Sequence, residues 1–206
     1  MAVTKYADLD WVRALVALGV TELGESRPQQ LVARSEQFPD SVHWHLIGHL
    51  QRNKVDLVWP VVTRIHSVDS VRLLESLNNS GRNTSDRKLG GRPRLLLEVN
   101  VSGEPSKDGF APERLLADWP TICRLEFLEI DGLMTMAPHF ENPDDSRPVF
   151  RALRELRDRL AAISSGRYSL PALSMGMSGD FEIAIEEGAT MIRIGSTLFE
   201  GLACDN

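Results

Sequence analysis

The sequence predicts a TIM-type (β/α)8 barrel, an α/β fold of eight parallel strands with helices outside them. Short apolar strands alternate with amphipathic helices along the chain, which implies parallel pairing and right-handed crossovers. Eight such units close most naturally into a barrel, and an open doubly wound sheet is the alternative. The 206 residues suffice for one large core and lie at the short end for this fold. We therefore expect a single domain over residues 1–206.

Each strand is placed by a short apolar or alternating run, and each helix by apolar residues at helical spacing. The predicted strands are 1–4, 20–24, 43–47, 64–67, 94–101, a stretch within 128–136 and two stretches within 173–201. The predicted helices are one that is capped by Asp8 or Asp10, then 27–35, 50–59, 68–77, 112–119 and 142–164. The polar, glycine-rich residues 78–93 predict a flexible loop.

Composition narrows the class of protein. A formal net charge of -6 argues against a nucleic-acid binder with a broad basic face. Cys123 and Cys204 form no CxxC motif, so we expect reduced thiols in a cytoplasmic protein. The first residues contain no apolar signal region, and no apolar run approaches the ~20 residues that span a bilayer. We therefore expect no membrane and no nucleic-acid partner.

Two small-residue turns near the end of the chain predict a phosphate site. They are Gly176-Met177-Ser178-Gly179 and Gly195-Ser196-Thr197, and each follows a short apolar strand. Such turns present backbone N–H groups and a hydroxyl where a helix begins, which favours an anion. Barrels often build a phosphate site from the loops after their last two strands.

Lys5 is the predicted reactive group. It ends strand one, and strand one neighbours strand eight in a closed barrel, so Lys5 should lie beside the phosphate turns. A lysine that faces into a barrel is unfavourable to keep charged, and a neutral amine forms a Schiff base with an aldehyde. A lysine beside a phosphate site suits pyridoxal 5'-phosphate or a phosphosugar aldolase. A solvated lysine at a strand end is the alternative.

Other side chains are candidates to line the barrel. Arg193 alternates with Met191 and Gly195, so it can face the lumen and bond the ring nitrogen of a pyridine cofactor. The alternative for Arg193 is an ion pair at the strand end. His43, His45 and His49 suggest a metal, but no cysteine or carboxylate cluster accompanies them, so we favour a barrel-lining role and expect no metal. Four methionines at the ends of strands six and seven, Met175 among them, predict core and pocket wall.

Several motifs together resemble one family. They are AVTK at the start, LGESRPQ at 23–29, WHLIGHLQRNK at 44–54, IHSVDS at 65–70, VNVSGEPSKDGF at 99–110, GLMTMAP at 132–138, LSMGMSGDFEIAI from 173 and IRIGSTLFEG from 192. In this order and over essentially the whole chain, they resemble the pyridoxal-phosphate homeostasis proteins, which look like the N-terminal barrel of alanine racemase. The family's helix before the lysine strand is not found in this sequence. Its Gly-Glu-Asn motif reads Gly24-Glu25-Ser26 here.

The resemblance implies a role for each matching residue. Lys5 matches the lysine that forms the Schiff base, and Arg193 matches the arginine near the pyridine nitrogen. An arginine there keeps that nitrogen unprotonated and weakens the cofactor as an electron sink. Ser178, Gly195 and Ser196 match the phosphate contacts. His45 and Asn100 match positions that line the pocket, and we also expect Met175 of the pocket wall to contact the cofactor.

Three functions compete at this point. The first is a carrier that holds pyridoxal 5'-phosphate, buffers the free aldehyde and passes it to pyridoxal-phosphate-dependent apo-enzymes. The second is an amino-acid racemase, which needs a base on each face of the substrate Cα. In alanine racemase one base is the lysine and the other is a tyrosine of a C-terminal β domain, which we do not expect in this chain. The third is a class I aldolase that uses Lys5. We favour the carrier, without catalytic residues, as a monomer or as a weak homodimer joined at an apolar groove between the first and last strands.

Overall fold

A computed structural model of the chain describes residues 1–82 and 91–202. Its eight strands form one parallel sheet in chain order. The strands are β1 Ala2–Val3, β2 Glu22–Glu25, β3 His43–Leu46, β4 Val62–Val68, β5 Arg94–Glu98, β6 Glu129–Met134, β7 Ala172–Met177 and β8 Met191–Arg193. The α-helices of the described residues are α1 Leu9–Ala17, α2 Pro28–Ser35, α3 Val55–Val58, α4 Val71–Gly81, α5 Pro112–Ile122, α6 Arg147–Ile163 and α7 Phe181–Glu186. Short 3-10 helices lie at Arg52–Lys54, Pro143–Ser146 and Ser196–Leu198.

The sheet closes on itself between β1 and β8. The Val3 N–H donates to the Ile194 carbonyl at 2.7 Å, and the Ile194 N–H donates to the Met1 carbonyl at 3.1 Å. Ala2 and Ile194 form the matching parallel bridge. The predicted (β/α)8 barrel is thus confirmed, and the open doubly wound sheet is excluded.

Two of the predicted boundaries that differ from the structure affect the site or the predicted loop. β1 ends at Val3, so Lys5 lies in a turn and not at the end of a strand. Helix α4 runs to Gly81, so residues 78–81 of the predicted flexible loop are helical. Their polarity was misleading, because the Asn78 side chain is buried and accepts the Phe127 N–H at 2.9 Å. Residues 83–90 of that loop lie outside the described part of the chain.

The main apolar core fills the space between the strands and the helices. Helix α6 shows how the sequence builds it, since its buried residues recur at three- and four-residue spacing and form one stripe. Those residues are Phe150, Leu153, Leu156 and Leu160. Inside the barrel, Leu96, Met134 and Ala172 form a small separate apolar cluster. Among the described helices, none has the length and apolar character needed to cross a bilayer.

The expected groove outside the β1–β8 seam is partly covered. Trp11 of α1 and Phe199, which follows β8, stack with their ring centroids 5.8 Å apart. Leu198 and Leu202 remain 41% and 50% exposed nearby in sequence. The seam therefore has its own apolar contact, and the weak homodimer stays a prediction.

Candidate functional site

The C-terminal ends of the strands form a mouth at which the predicted site residues gather. β1 and β8 bring the Lys5 turn and the second small-residue turn together. A side-chain Cβ built on Gly195 would lie 3.3 Å from the Val3 Cβ, so the β8 turn approaches β1 too closely for a larger residue to fit without a shift. Lys5 follows two residues after Val3. The two turns are therefore direct neighbours, as the closed barrel predicted.

Lys5 is half-buried at this mouth. Its Nζ lies 4.9 Å from the centroid of the Tyr6 ring, which is itself 77% exposed. Strand alternation would have placed Lys5 and Tyr6 on opposite sides, but β1 has already ended and the chain turns. The Lys5 amine is thus accessible at the mouth and rests against an aromatic face.

A buried ion pair holds the Lys5 turn from behind. Arg34 of α2 donates to the carbonyls of Thr4 and Ala7, each at 2.7 Å, and to the Glu25 carboxylate at 2.5 Å. The Thr4 hydroxyl donates to the same carboxylate at 2.6 Å. Glu25 is fully buried and Arg34 is 9% exposed.

The sequence patterns did not predict this set of contacts, in which Arg34 and Glu25 hold the Lys5 turn and which we call the clamp. Arg34 comes three residues after the buried Leu31, on the inner face of α2, which was the available signal. An arginine on the apolar face of a helix implies a buried acceptor.

The two small-residue turns meet as predicted. The Gly195 N–H donates to the Ser178 hydroxyl at 3.4 Å. Gly176 has a φ of +90°, and a Cβ there would lie 2.5 Å from the Ala184 Cβ, so glycine is required. Ser178 is half-buried and Ser196 is exposed, so both hydroxyls remain available at the mouth. The arrangement offers two hydroxyls to an anion, which would also replace the long Ser178 contact as the acceptor of the Gly195 N–H.

Arg193 faces the lumen, as its alternation predicted. It is 5% exposed and donates to the Ser174 hydroxyl at 2.7 Å and to the Thr135 carbonyl at 2.9 Å. Among the described residues, no carboxylate lies within 4 Å of its guanidinium. Burial lowers the pKa of Arg193 to about 10, so it remains cationic at neutral pH. A buried cation without a carboxylate partner marks a place for an acceptor on a ligand.

A ladder of hydrogen bonds runs from Arg193 down the lumen. His66 Nδ1 lies 2.9 Å from the Ser174 hydroxyl, and His66 Nε2 lies 2.9 Å from His45 Nδ1. His45 Nε2 reaches the Glu22 carboxylate at 2.6 Å. Ser174, His66 and His45 therefore link the two mouths of the barrel.

The two ends of this ladder fix its proton positions. Arg193 can only donate and an ionised Glu22 can only accept, so Ser174 donates to His66, His66 to His45, and His45 to Glu22. Burial lowers the pKa of both histidines, which keeps them neutral. The hydrogen bond from His45 holds the pKa of Glu22 down at about 2. A cation at one mouth and an anion at the other are thus joined by neutral side chains.

Three predicted pocket residues lie elsewhere than expected. Met175 is fully buried in the main core, and the lumen-facing residue of β7 is its neighbour Ser174, so the Met175 contact stays a prediction that this geometry does not favour. His45 lies deep in the lumen and borders the opposite mouth. Asn100 donates to the carbonyls of Glu104 and Lys107, so its amide organises the β5–α5 loop, and its cofactor contact stays a prediction.

The three histidines weighed as metal ligands do not converge. His43 and His45 share Glu22, with His43 Nδ1 2.5 Å from its carboxylate. His49 lies beyond the other end of β3, 3.2 Å from Asp69 and 3.6 Å from Asp108.

Glu98 is a further ionisable group that sequence reasoning missed. It ends β5, is 5% exposed, and burial together with Asp108 and Asp69 raises its pKa to about 7. An acidic residue that interrupts the apolar run of β5 was the available signal. Its carboxyl group therefore titrates near neutral pH at this end of the barrel.

Comparison with known proteins identifies the family. The family model described as alanine racemase, N-terminal domain, matches residues 1–202. The pyridoxal phosphate homeostasis protein of Aquifex aeolicus is 42% identical over 189 residues, which are 91% of this chain and 80% of the relative. That of Pseudomonas aeruginosa is 37% identical over 202 residues, 97% of this chain and 82% of the relative.

Solved structures agree with this assignment. PipY of Synechococcus elongatus, solved without PLP and with PLP bound, is 34% identical and superimposes with TM-scores of 0.87 and 0.86. These alignments cover 96% and 97% of this chain and 90% and 91% of PipY. Alanine racemase of Clostridium difficile, 12% identical, shares the fold with a TM-score of 0.71 over 99% of this chain and 52% of its own. This chain therefore belongs to the pyridoxal phosphate homeostasis protein family, whose fold is the N-terminal barrel of alanine racemase.

Proposed function

We propose that this chain binds pyridoxal 5'-phosphate at the C-terminal mouth, as a Schiff base on Lys5, and takes part in cofactor homeostasis. The observation that carries the proposal is the buried Arg193, which has no carboxylate partner among the described residues and lies at the same mouth as Lys5 and the two small-residue turns. A ligand with an aldehyde, a phosphate and a pyridine nitrogen fits these three features together. The two relatives named above are both called pyridoxal phosphate homeostasis proteins, which supports this proposal.

Each residue has a distinct task in this proposal. Lys5 supplies the amine. The Ser178 and Ser196 hydroxyls and the Gly195 N–H hold the phosphate. Arg193, fixed by Ser174, directs a guanidinium N–H at the pyridine nitrogen. The bound cofactor supplies an aldehyde that captures amines, and an arginine at its ring nitrogen keeps that nitrogen unprotonated, which disfavours turnover.

Neither tyrosine of the chain, Tyr6 or Tyr168, suits the role of the second base for racemisation. Such a base must lie across the substrate from the lysine, whereas the Tyr6 ring rests against Lys5 itself. Tyr168 precedes β7 at the opposite end of the barrel, and its ring packs 5.7 Å from that of Trp119. A holding and releasing role therefore fits better than the racemase or the aldolase. We further infer apo-enzymes as recipients and a cytoplasmic location, where a free thiol such as Cys123 stays reduced.

Absorbance spectroscopy tests the proposal. The purified chain mixed with pyridoxal 5'-phosphate should develop the visible band of a Schiff base, and borohydride should abolish the band and leave the label on the peptide that contains Lys5. Lys5→Ala should lose the band while its circular dichroism spectrum stays unchanged, whereas the matched Lys54→Ala variant should keep it. A band that survives in Lys5→Ala would refute the assignment. Exchange of the alanine α-proton with solvent deuterium at enzymatic rates would instead establish the racemase.

A further inference from the structure

The barrel has a second mouth, at the N-terminal ends of its strands, which the proposed cofactor site does not use. A cavity of about 630 Å³ opens there, within the range of small-molecule sites. It is lined by the first residues of several strands and by residues just before them. The polar ones are Glu22, His43, His45, Thr63, Arg64, Arg94 and Thr190.

Two arginines form one wall of this cavity. Arg64 of β4 and Arg94 of β5 occupy paired positions on neighbouring strands, so their side chains start side by side. The Arg64 Nη2 donates to the Asp131 carboxylate at 2.7 Å, and its Nη1 reaches only the Met191 sulfur at 3.8 Å. Arg94 is exposed, and it forms no ion pair with any residue in the described ranges. Asp131 thus neutralises one of two adjacent positive charges.

A buried donor on this wall lacks an acceptor. The Arg64 Nε is shielded from solvent and has no hydrogen-bond partner within the described part of the chain. Buried polar groups are normally satisfied, because leaving one unpaired costs roughly 1–3 kcal/mol. The Glu22 carboxylate on the other wall already pairs with His43 and His45, so it is not available to this donor.

We propose that this N-terminal mouth is a second ligand site, which takes a small oxyanion through a carboxylate or phosphate group. Arg94 and the Arg64 Nη1 group, which does not contact Asp131, would bind the anion. Planar guanidinium groups suit both carboxylate and phosphate because they donate pairs of hydrogen bonds. Glu22 repels a large polyanion from the opposite wall, so the site selects a single compact anionic group.

This site is separate from the cofactor site. The seven residues of β4 make the barrel about 20 Å long, and the apolar cluster of Leu96, Met134 and Ala172 fills part of the lumen between the mouths. An anion bound at the N-terminal mouth is therefore distinct from the cofactor phosphate at the C-terminal mouth. The ladder through His45 and His66 provides the polar connection between them.

Anion titration of the cofactor-loaded chain tests the proposal, because loading occupies the phosphate turns at the other mouth. Inorganic phosphate and malonate would each be titrated by calorimetry at constant ionic strength. We expect saturable binding at one site. The anion that binds more tightly shows whether the site prefers a phosphate or a carboxylate group. Arg94→Gln should weaken that binding at least tenfold, since it removes charged hydrogen bonds. Arg159→Gln, the same change on the outer face of α6, should leave it unaltered.

Three results would overturn the proposal. They are the absence of saturation with both anions, unaltered binding in Arg94→Gln, and an equal loss in Arg159→Gln. Failure of the cofactor proposal would look different, because the chain would then develop no visible band. The malonate titration would still compare Arg94→Gln with the parent chain in that case.

Discussion

Glu98 offers the sharpest test of the physical picture, because its charge state changes within an accessible pH range. Its carboxyl group is 5% exposed, and its pKa is raised to about 7, mainly by burial and then by Asp108 and Asp69. The folded chain thus favours the protonated form of Glu98. Substitution by the isosteric, uncharged glutamine removes this titration and keeps the shape of the side chain.

The magnitude follows from the two pKa values. A pKa of about 7 in the folded chain compares with an ordinary value of 4.5. At ~1.4 kcal/mol per pH unit, this difference corresponds to about 3 kcal/mol of unfolding free energy. The sign is fixed, since a raised pKa gives stability that is present below about pH 4.5 and lost as the pH rises through 7. About 3 kcal/mol is a large part of a typical stability of ~5–15 kcal/mol.

Urea unfolding at pH 5, 6, 7 and 8 measures the effect. We expect Glu98→Gln and the parent chain to differ little at pH 5, and the variant to gain up to about 3 kcal/mol over the parent at pH 8. Glu155→Gln, an exposed change on α6, should show no such trend. A stability difference between Glu98→Gln and the parent that does not vary with pH would refute this reasoning.

Two further substitutions test the interior polar contacts. Arg34→Met should destabilise the chain by about 3–5 kcal/mol, because it leaves the buried Glu25 charge unpaired. In thermal unfolding, adding Glu25→Gln should recover part of that loss, and no recovery would argue against the ion pair. His66→Phe should cost about 1–3 kcal/mol, since it leaves Ser174 without its acceptor and His45 without its donor. It should also weaken cofactor binding through Arg193, and an unchanged visible-band titration would contradict that.

Local patterns in the sequence predicted the parts of the fold that depend on local physics. Alternation of strands and helices gave the barrel, and strand alternation placed Arg193 in the lumen. The same alternation rule, applied to β7, selects Ser174 as the lumen-facing residue and directs Met175 to the main core. Strand geometry therefore favours Ser174 over Met175 at this position.

Contacts between distant residues were not predictable in this way. Thr4, Glu25 and Arg34 join three elements, and no spacing rule within one strand or helix links them. The lumen ladder likewise needs the register of β3, β4 and β7 before its members can be paired. The end of helix α4 was missed for the same reason, because the polar Asn78 side chain accepts a hydrogen bond from Phe127, 49 residues away.

The clamp on the Lys5 turn compensates for the short first strand. β1 has two residues and gives the Lys5 turn little support from the sheet. Arg34, however, donates to Thr4 on one side of Lys5 and to Ala7 on the other. The backbone around Lys5 is thus fixed from the helical layer, independently of strand pairing, while its side chain stays accessible. A fixed backbone with an accessible amine suits a protein that holds an aldehyde reversibly, because capture then requires no reorganisation of the chain.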